Sequence, residues 1–119
     1  MRRFPVLVSA VGLLTAAVPA VNALAASKPK PLKVTVDDDF FKPSKKTVPP
    51  GTKVTWTWKG ADEHNVTLME APKGIKLKKY ASKDQDRDGD PFTRTLKAKG
   101  KWLFVCTLHS EMEQTITVK

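Results

Sequence analysis

Cys106, His109 and Met112 fall at three-residue steps in the run Cys106-Thr107-Leu108-His109-Ser110-Glu111-Met112, so one short loop offers a thiolate, an imidazole and a thioether. A second imidazole, His64, opens another segment, His64-Asn65-Val66-Thr67-Leu68. The chain has one cysteine and two histidines, and this constellation uses all of them. Two imidazoles and a thiolate in a trigonal set, with a weak thioether on the axis, form the ligand set of blue copper electron-transfer sites. Thiolate and thioether suit Cu(I), while imidazole serves both oxidation states, and a fixed intermediate geometry limits rearrangement between them. The predicted ligands of one type 1 copper ion are therefore His64, Cys106, His109 and Met112. A tetrahedral zinc site is a poor match, because its fourth donor would be a thioether. Nucleophilic Cys/His catalysis is disfavoured because Cys106 falls on a core face and no acyl or peptide pocket is visible, so the chain is read as a carrier, not an enzyme.

The segments that must hold these residues read as strands. Trp102, Phe104 and Cys106 share one parity, and so do His64, Val66 and Leu68. Residues two apart on a strand face the same side, so both ligand segments point into a core from strand ends. Met69 has the opposite parity to His64 and should face away, which leaves Met112 as the credible thioether. Leu32, Val34 and Val36 alternate with polar residues, Val54, Trp56 and Trp58 alternate with threonines, and Thr115 to Val118 closes the pattern. Lys46-Thr47-Val48 is short, Pro49-Pro50-Gly51 is a turn, and Phe40-Phe41 before Pro43 reads as irregular. Phe92 to Leu96 is a strand of ambiguous facing, since Arg94 shares parity with Phe92 and Leu96. About seven short strands separated by turns, without a convincing helix, predict an all-β, antiparallel sandwich.

At 119 residues the chain has room for one domain. Arg2-Arg3, the largely apolar run from Val6 to Ala20, and Ala23-Leu24-Ala25 form the pattern of a cleaved signal peptide, leaving Ala26 as the mature start. The alternative is an uncleaved anchor, against which Pro19 and Asn22 spoil the far end of a span. The predicted organisation is a signal peptide over 1–25, an extended leader over 26–31 and a copper-binding domain over 32–119, exported to the periplasm, cell envelope or medium, with no transmembrane span after signal removal. In an oxidising compartment a lone thiol is a liability unless something occupies it, which again points to Cys106 as a ligand.

Removing Arg2 and Arg3 from the formal net charge of +9 leaves +7 on the mature chain. Such a balance suits acidic membranes, nucleic acid or acidic proteins, or is simply a solvated lysine-rich surface. Export argues against nucleic acid, and no recognition helix or base-stacking platform is visible. The expected partners are redox proteins, a donor and an acceptor, the acidic ones favoured by charge, and the chain is expected to act as a monomer.

The stretch from Thr47-Val48-Pro49-Pro50-Gly51 through Trp56, followed by His64-Asn65-Val66-Thr67, resembles the first-ligand region of the cupredoxins, the family of plastocyanin, pseudoazurin and amicyanin. Phe104-Val105-Cys106 through Met112 is similar to that family's ligand loop, in the short, amicyanin-like spacing. The resemblance covers nearly all of the mature chain. It implies a Greek-key sandwich with copper near one end and His109 as the partly exposed ligand through which electrons pass. It also implies that Asn65 hydrogen-bonds to Thr107 and ties the two ligand segments together, as support outside the ligand set of a metal site. Two departures stand out. Ser110-Glu111 replaces a Pro-Gly pair often found before the methionine, and Glu111, one residue too early for the axial position, should face solvent. The connection from Lys73 to Pro91 is long and charged. Its Asp84-x-Asp86-x-Asp88-Gly89 begins like a calcium loop, but the twelfth position is Thr95 where that loop needs a Glu. Against the one-electron carrier stand two rivals, a copper storage or delivery protein of the envelope and an interaction module of the same shape without metal.

Overall fold

The computed structural model describes residues 28–119 and, before them, Gly12 alone. The expected signal peptide over 1–25 and the first residues of the leader lie outside the described residues. No helix among the described residues is long and apolar enough to cross a membrane.

Among the described residues eight strands carry the fold: β1 (Leu32–Asp37), β2 (Phe40–Lys42), β3 (Lys45–Val48), β4 (Thr52–Trp58), β5 (Thr67–Glu70), β6 (Phe92–Leu96), β7 (Gly100–Val105) and β8 (Glu113–Val118). They form two four-stranded sheets, β2-β1-β4-β6 and β3-β8-β7-β5. The sandwich is the expected one, with a refinement in its pairing. Four of the strand pairs are antiparallel, whereas β1 with β4 and β3 with β8 run parallel. The parallel pairs arise because the chain leaves the first sheet after β2, adds β3 to the second, and returns as β4. Phe40-Phe41, read as irregular, is β2; Phe41 is buried while Phe40 is exposed.

Alternation places the core. Val54, Trp56 and Trp58 of β4 face Trp102 and Phe104 of β7 and Ile116 and Val118 of β8, all nearly inaccessible to water. Trp56 reaches across the interface to Phe104, with ring centroids 4.9 Å apart and tilted by 58°. Fully buried indoles such as Trp56 and Trp102 each remove roughly 150–250 Å² from water, and they need a partner for the N–H. Trp56 Nε1 donates to Gln114 Oε1 at 2.9 Å, and Gln114 Nε2 donates to the Pro43 carbonyl at 2.7 Å. One buried amide on β8 thus joins the first sheet to the crossover between sheets. Without it the indole N–H would stand unpaired at a cost of about 1–3 kcal/mol.

The ambiguity at β6 resolves through cation–π stacking. The Arg94 guanidinium lies 4.1 Å from the Phe92 ring centroid and donates from Nε to the Lys79 carbonyl at 2.6 Å. Its stem follows the sheet face while its head leaves the core. The long connection before β6 contains one 3-10 turn, Leu77–Tyr80, and two isolated β-bridges, Thr67 with Ala81 and His64 with Gln85.

Candidate metal centre

Strand parity delivers Cys106 to the end of β7 and His64 to the segment before β5, and both are buried, at 3% and 0% exposure. The loop from Cys106 to Met112 is closed on itself by a hydrogen bond from the Cys106 N–H to the Met112 carbonyl at 3.0 Å. Within it His109 turns back towards the thiol. Cys106 Sγ stands 3.6 Å from His109 Nδ1 and 3.8 Å from His64 Nδ1. All three donor atoms lie within 4.8 Å of one another, and this is the one such group of His, Cys, Asp or Glu side chains among the described residues. Nitrogen and sulfur donors at metal distances of about 2.0 and 2.3 Å, held near 120° apart, would stand about 3.7 Å from each other. The spacing therefore suits a single ion shared by all three.

Met112 is buried at 1% exposure in the core beside this group, whereas Met69 is 52% exposed and points away. Glu111, next to Met112 in sequence, is exposed. Its φ of 66° puts it in the left-handed region, unusual for a residue with a Cβ. That single backbone turn sends the carboxylate outward and the following thioether inward.

The two ligand segments are locked by Asn65. Its Nδ2 donates to Thr107 Oγ1 at 2.7 Å, and its Oδ1 accepts from the Thr107 N–H at 3.1 Å. Nδ2 also donates to Asp84 Oδ1 at 2.9 Å, and Thr67 Oγ1 donates to Oδ1 at 2.8 Å. Asn65 is buried although its parity is opposite to that of His64, because it lies before β5 begins and fills the gap between segments.

Further supports are invisible in the motif. Trp58 Nε1 donates to the His64 carbonyl at 2.9 Å. Gln85 pairs with His64 through both backbone groups, at 2.9 and 3.0 Å. Asp38, in the turn between β1 and β2, stands 2.9 Å from His64 Nε2. That hydrogen bond, followed by those from the Asp62 and Ala61 N–H groups, holds the Asp38 carboxyl below the usual carboxylate range. The acidic run that begins like a calcium loop is used internally: Asp84 accepts from Asn65, and Asp86 accepts from the Asp88 N–H.

A family model described as copper binding proteins, plastocyanin/azurin family, matches residues 31–119. The chain belongs to that family. Its fold matches the oxidized form of plastocyanin from Dryopteris crassirhizoma at 29% identity and a TM-score of 0.63, over 73% of this chain and 99% of that one. A purple cupredoxin from Nitrosopumilus maritimus matches at 23% identity and a TM-score of 0.63, over 74% of this chain and 99% of that one. A reduced-state amicyanin variant matches at 23% and 0.61, over 75% and 82%. Likenesses at 23% identity speak for the fold alone. No curated protein matches the chain by sequence. The cupredoxin fold and the donor set agree: copper is the metal these residues suit, and His64, Cys106, His109 and Met112 fit one type 1 site.

Asn65→Leu keeps the side-chain bulk but removes every bond to Thr107. Loss of such outer supports typically costs 10–100-fold in metal affinity, and the two lost bonds to Thr107 about 0.5–1.5 kcal/mol each. A competitive chelator titration should show copper affinity reduced by about 10–100-fold, and urea unfolding of the copper-free variant should show the stability loss. Unchanged affinity would mean that other contacts hold the two segments in register.

Proposed function

We propose that this cupredoxin is an exported type 1 copper protein that carries single electrons between redox proteins, with His64, Cys106, His109 and Met112 as ligands and no substrate of its own. The observation that carries the reading is the convergence of His64 Nδ1, Cys106 Sγ and His109 Nδ1 at one buried point, with the His109 side chain 28% exposed. Bound copper would supply a Cu(II)/Cu(I) couple at that point. The chain's own residues do the rest. Trp58, Gln85 and Asn65 fix the ligand segments, which suits a site that must not rearrange on gain or loss of an electron. Burial of His64 and Cys106 excludes water and slows exchange of the metal, which favours a carrier over a storage or delivery protein. Transfer of copper to an acceptor on mixing would reverse that choice.

The route for electrons is the exposed edge of His109. Leu108 beside it is 46% exposed, giving an apolar contact around the ring edge. Lysines supply the long-range attraction, and the +7 charge of the mature chain suits acidic partners. Transfer to such a partner should slow as ionic strength rises across the physiological range, where the Debye length is about 8 Å. A rate indifferent to salt would assign docking to the apolar contact alone.

Export is proposed on the Arg2-Arg3 start and the Ala23-Leu24-Ala25 site. Mass spectrometry of protein recovered from its native envelope or medium should give an N-terminus near Ala26. Retention of residues 4–20 would instead mean an anchored form.

The copper-loaded protein should be intensely coloured by charge transfer from Cys106, and Cys106→Ser should abolish the band. Met112→Leu removes a weak donor, so it should keep the colour and raise the reduction potential. Glu111→Gln should change both only slightly. A strong colour change in Glu111→Gln, with none in Met112→Leu, would make Glu111 the axial ligand.

A further inference from the structure

Asp38 is outside the ligand set and 26 residues before His64, yet its carboxylate meets the only ring nitrogen of His64 that faces away from the cysteine. His64 is 0% exposed, so water does not compete for that nitrogen. With Nδ1 turned towards Cys106 as a metal donor, the neutral ring must carry its proton on Nε2. Asp38 Oδ1 accepts the hydrogen bond from that N–H at 2.9 Å.

The carboxylate is itself held in place. Oδ1 also accepts from the Asp62 N–H at 3.1 Å, and Oδ2 accepts from the Ala61 N–H at 3.3 Å. Gly60 allows this close wrap, since a Cβ there would collide with the Asp38 carboxylate and amide nitrogen. The neighbouring Asp39 offers a contrast built into the same turn. Its Oδ1 is 3.9 Å from His109 Nε2, beyond hydrogen-bond reach, and its side chain is 78% exposed against 41% for Asp38.

We propose that Asp38 is a positioning residue for the copper site: it fixes the tautomer and angle of His64 and lowers the reduction potential by making that imidazole a stronger donor. The proposal rests on the type 1 reading of the site. A carboxylate behind a metal-bound histidine raises its basicity, and its negative charge favours Cu(II) over Cu(I). Partial exposure of Asp38 limits the effect through solvent screening. The partly exposed ligand, His109, makes no equivalent bond to Asp39.

The test compares Asp38→Asn with Asp39→Asn in the copper-loaded full domain. Each removes one negative charge from the same turn, and in Asp38→Asn the new amide oxygen can still accept from His64. Asp38→Asn should lower the ratio of Cu(II) to Cu(I) affinity roughly tenfold, a rise of about 59 mV in potential for a one-electron couple, and Asp39→Asn should shift it much less. Equal shifts in the two variants, with the colour retained, would overturn the proposal and leave the type 1 reading standing. A wild-type copper form without the thiolate charge-transfer band would overturn that reading and the proposal with it. A second measurement needs no variant. In the diamagnetic Cu(I) protein, the Nε2 proton of His64 should be visible by NMR and exchange slowly with water, while that of His109 exchanges rapidly. Equally rapid exchange at both rings would also overturn the proposal.

Discussion

The metal site depends on two chain segments 42 residues apart staying in register while a thiol and an imidazole are buried between them. Asn65 is the fastener. An amide is suited to this place because it donates and accepts at once, and Asn65 does both towards Thr107. A hydroxyl or carboxylate of similar size would satisfy only part of that exchange. Because Thr107 follows Cys106 directly, and Asn65 follows His64 directly, any slip of β5 against its neighbour β7 strains these bonds along with the donors. The aromatic interface further down the sandwich, Trp56 against Phe104, holds the two sheets against each other through packing.

The charged connection between β5 and β6 has a structural part that its composition conceals. A run of lysines and aspartates reads as solvated loop, and most of its side chains are indeed exposed. Yet Gln85 adds a strand-like bridge to His64, Asp84 completes the hydrogen bonds of Asn65, and Ser82 Oγ accepts from the Val66 N–H at 2.8 Å. The connection therefore acts as a clamp laid over the first ligand segment, which has too little regular strand of its own to fix His64.

Much of this was legible in the sequence because strands write their facing in alternate residues. Trp102, Phe104 and Cys106 shared a parity and share the core; His64, Val66 and Leu68 did likewise. What alternation does not record is contact between segments far apart in sequence. Nothing local marked β1 and β4 as parallel neighbours, since that pairing follows from β3 joining the other sheet. Asn65 broke parity because it precedes the strand. Asp38 and Asp39 are identical neighbours in the sequence, and nothing local distinguishes them, although Asp38 is tied down while Asp39 remains in solvent. Phe40-Phe41 before Pro43 looked irregular because β2 is short, spanning Phe40–Lys42.

The bond from the Cys106 N–H to the Met112 carbonyl makes the ligand loop a cassette. Its two ends are stapled together and continue into β7 and β8, which hold each other through a full antiparallel ladder. Strain inside the loop, such as the left-handed turn at Glu111, is therefore confined there and does not spread into the sandwich. Drift at Leu108 and Ser110, both exposed, can reshape the rim around His109, and with it the surface a partner meets, on a scaffold that stays unchanged. Selection for a new partner could thus proceed almost independently of selection for a stable fold, while Thr107, bound to Asn65, answers to both.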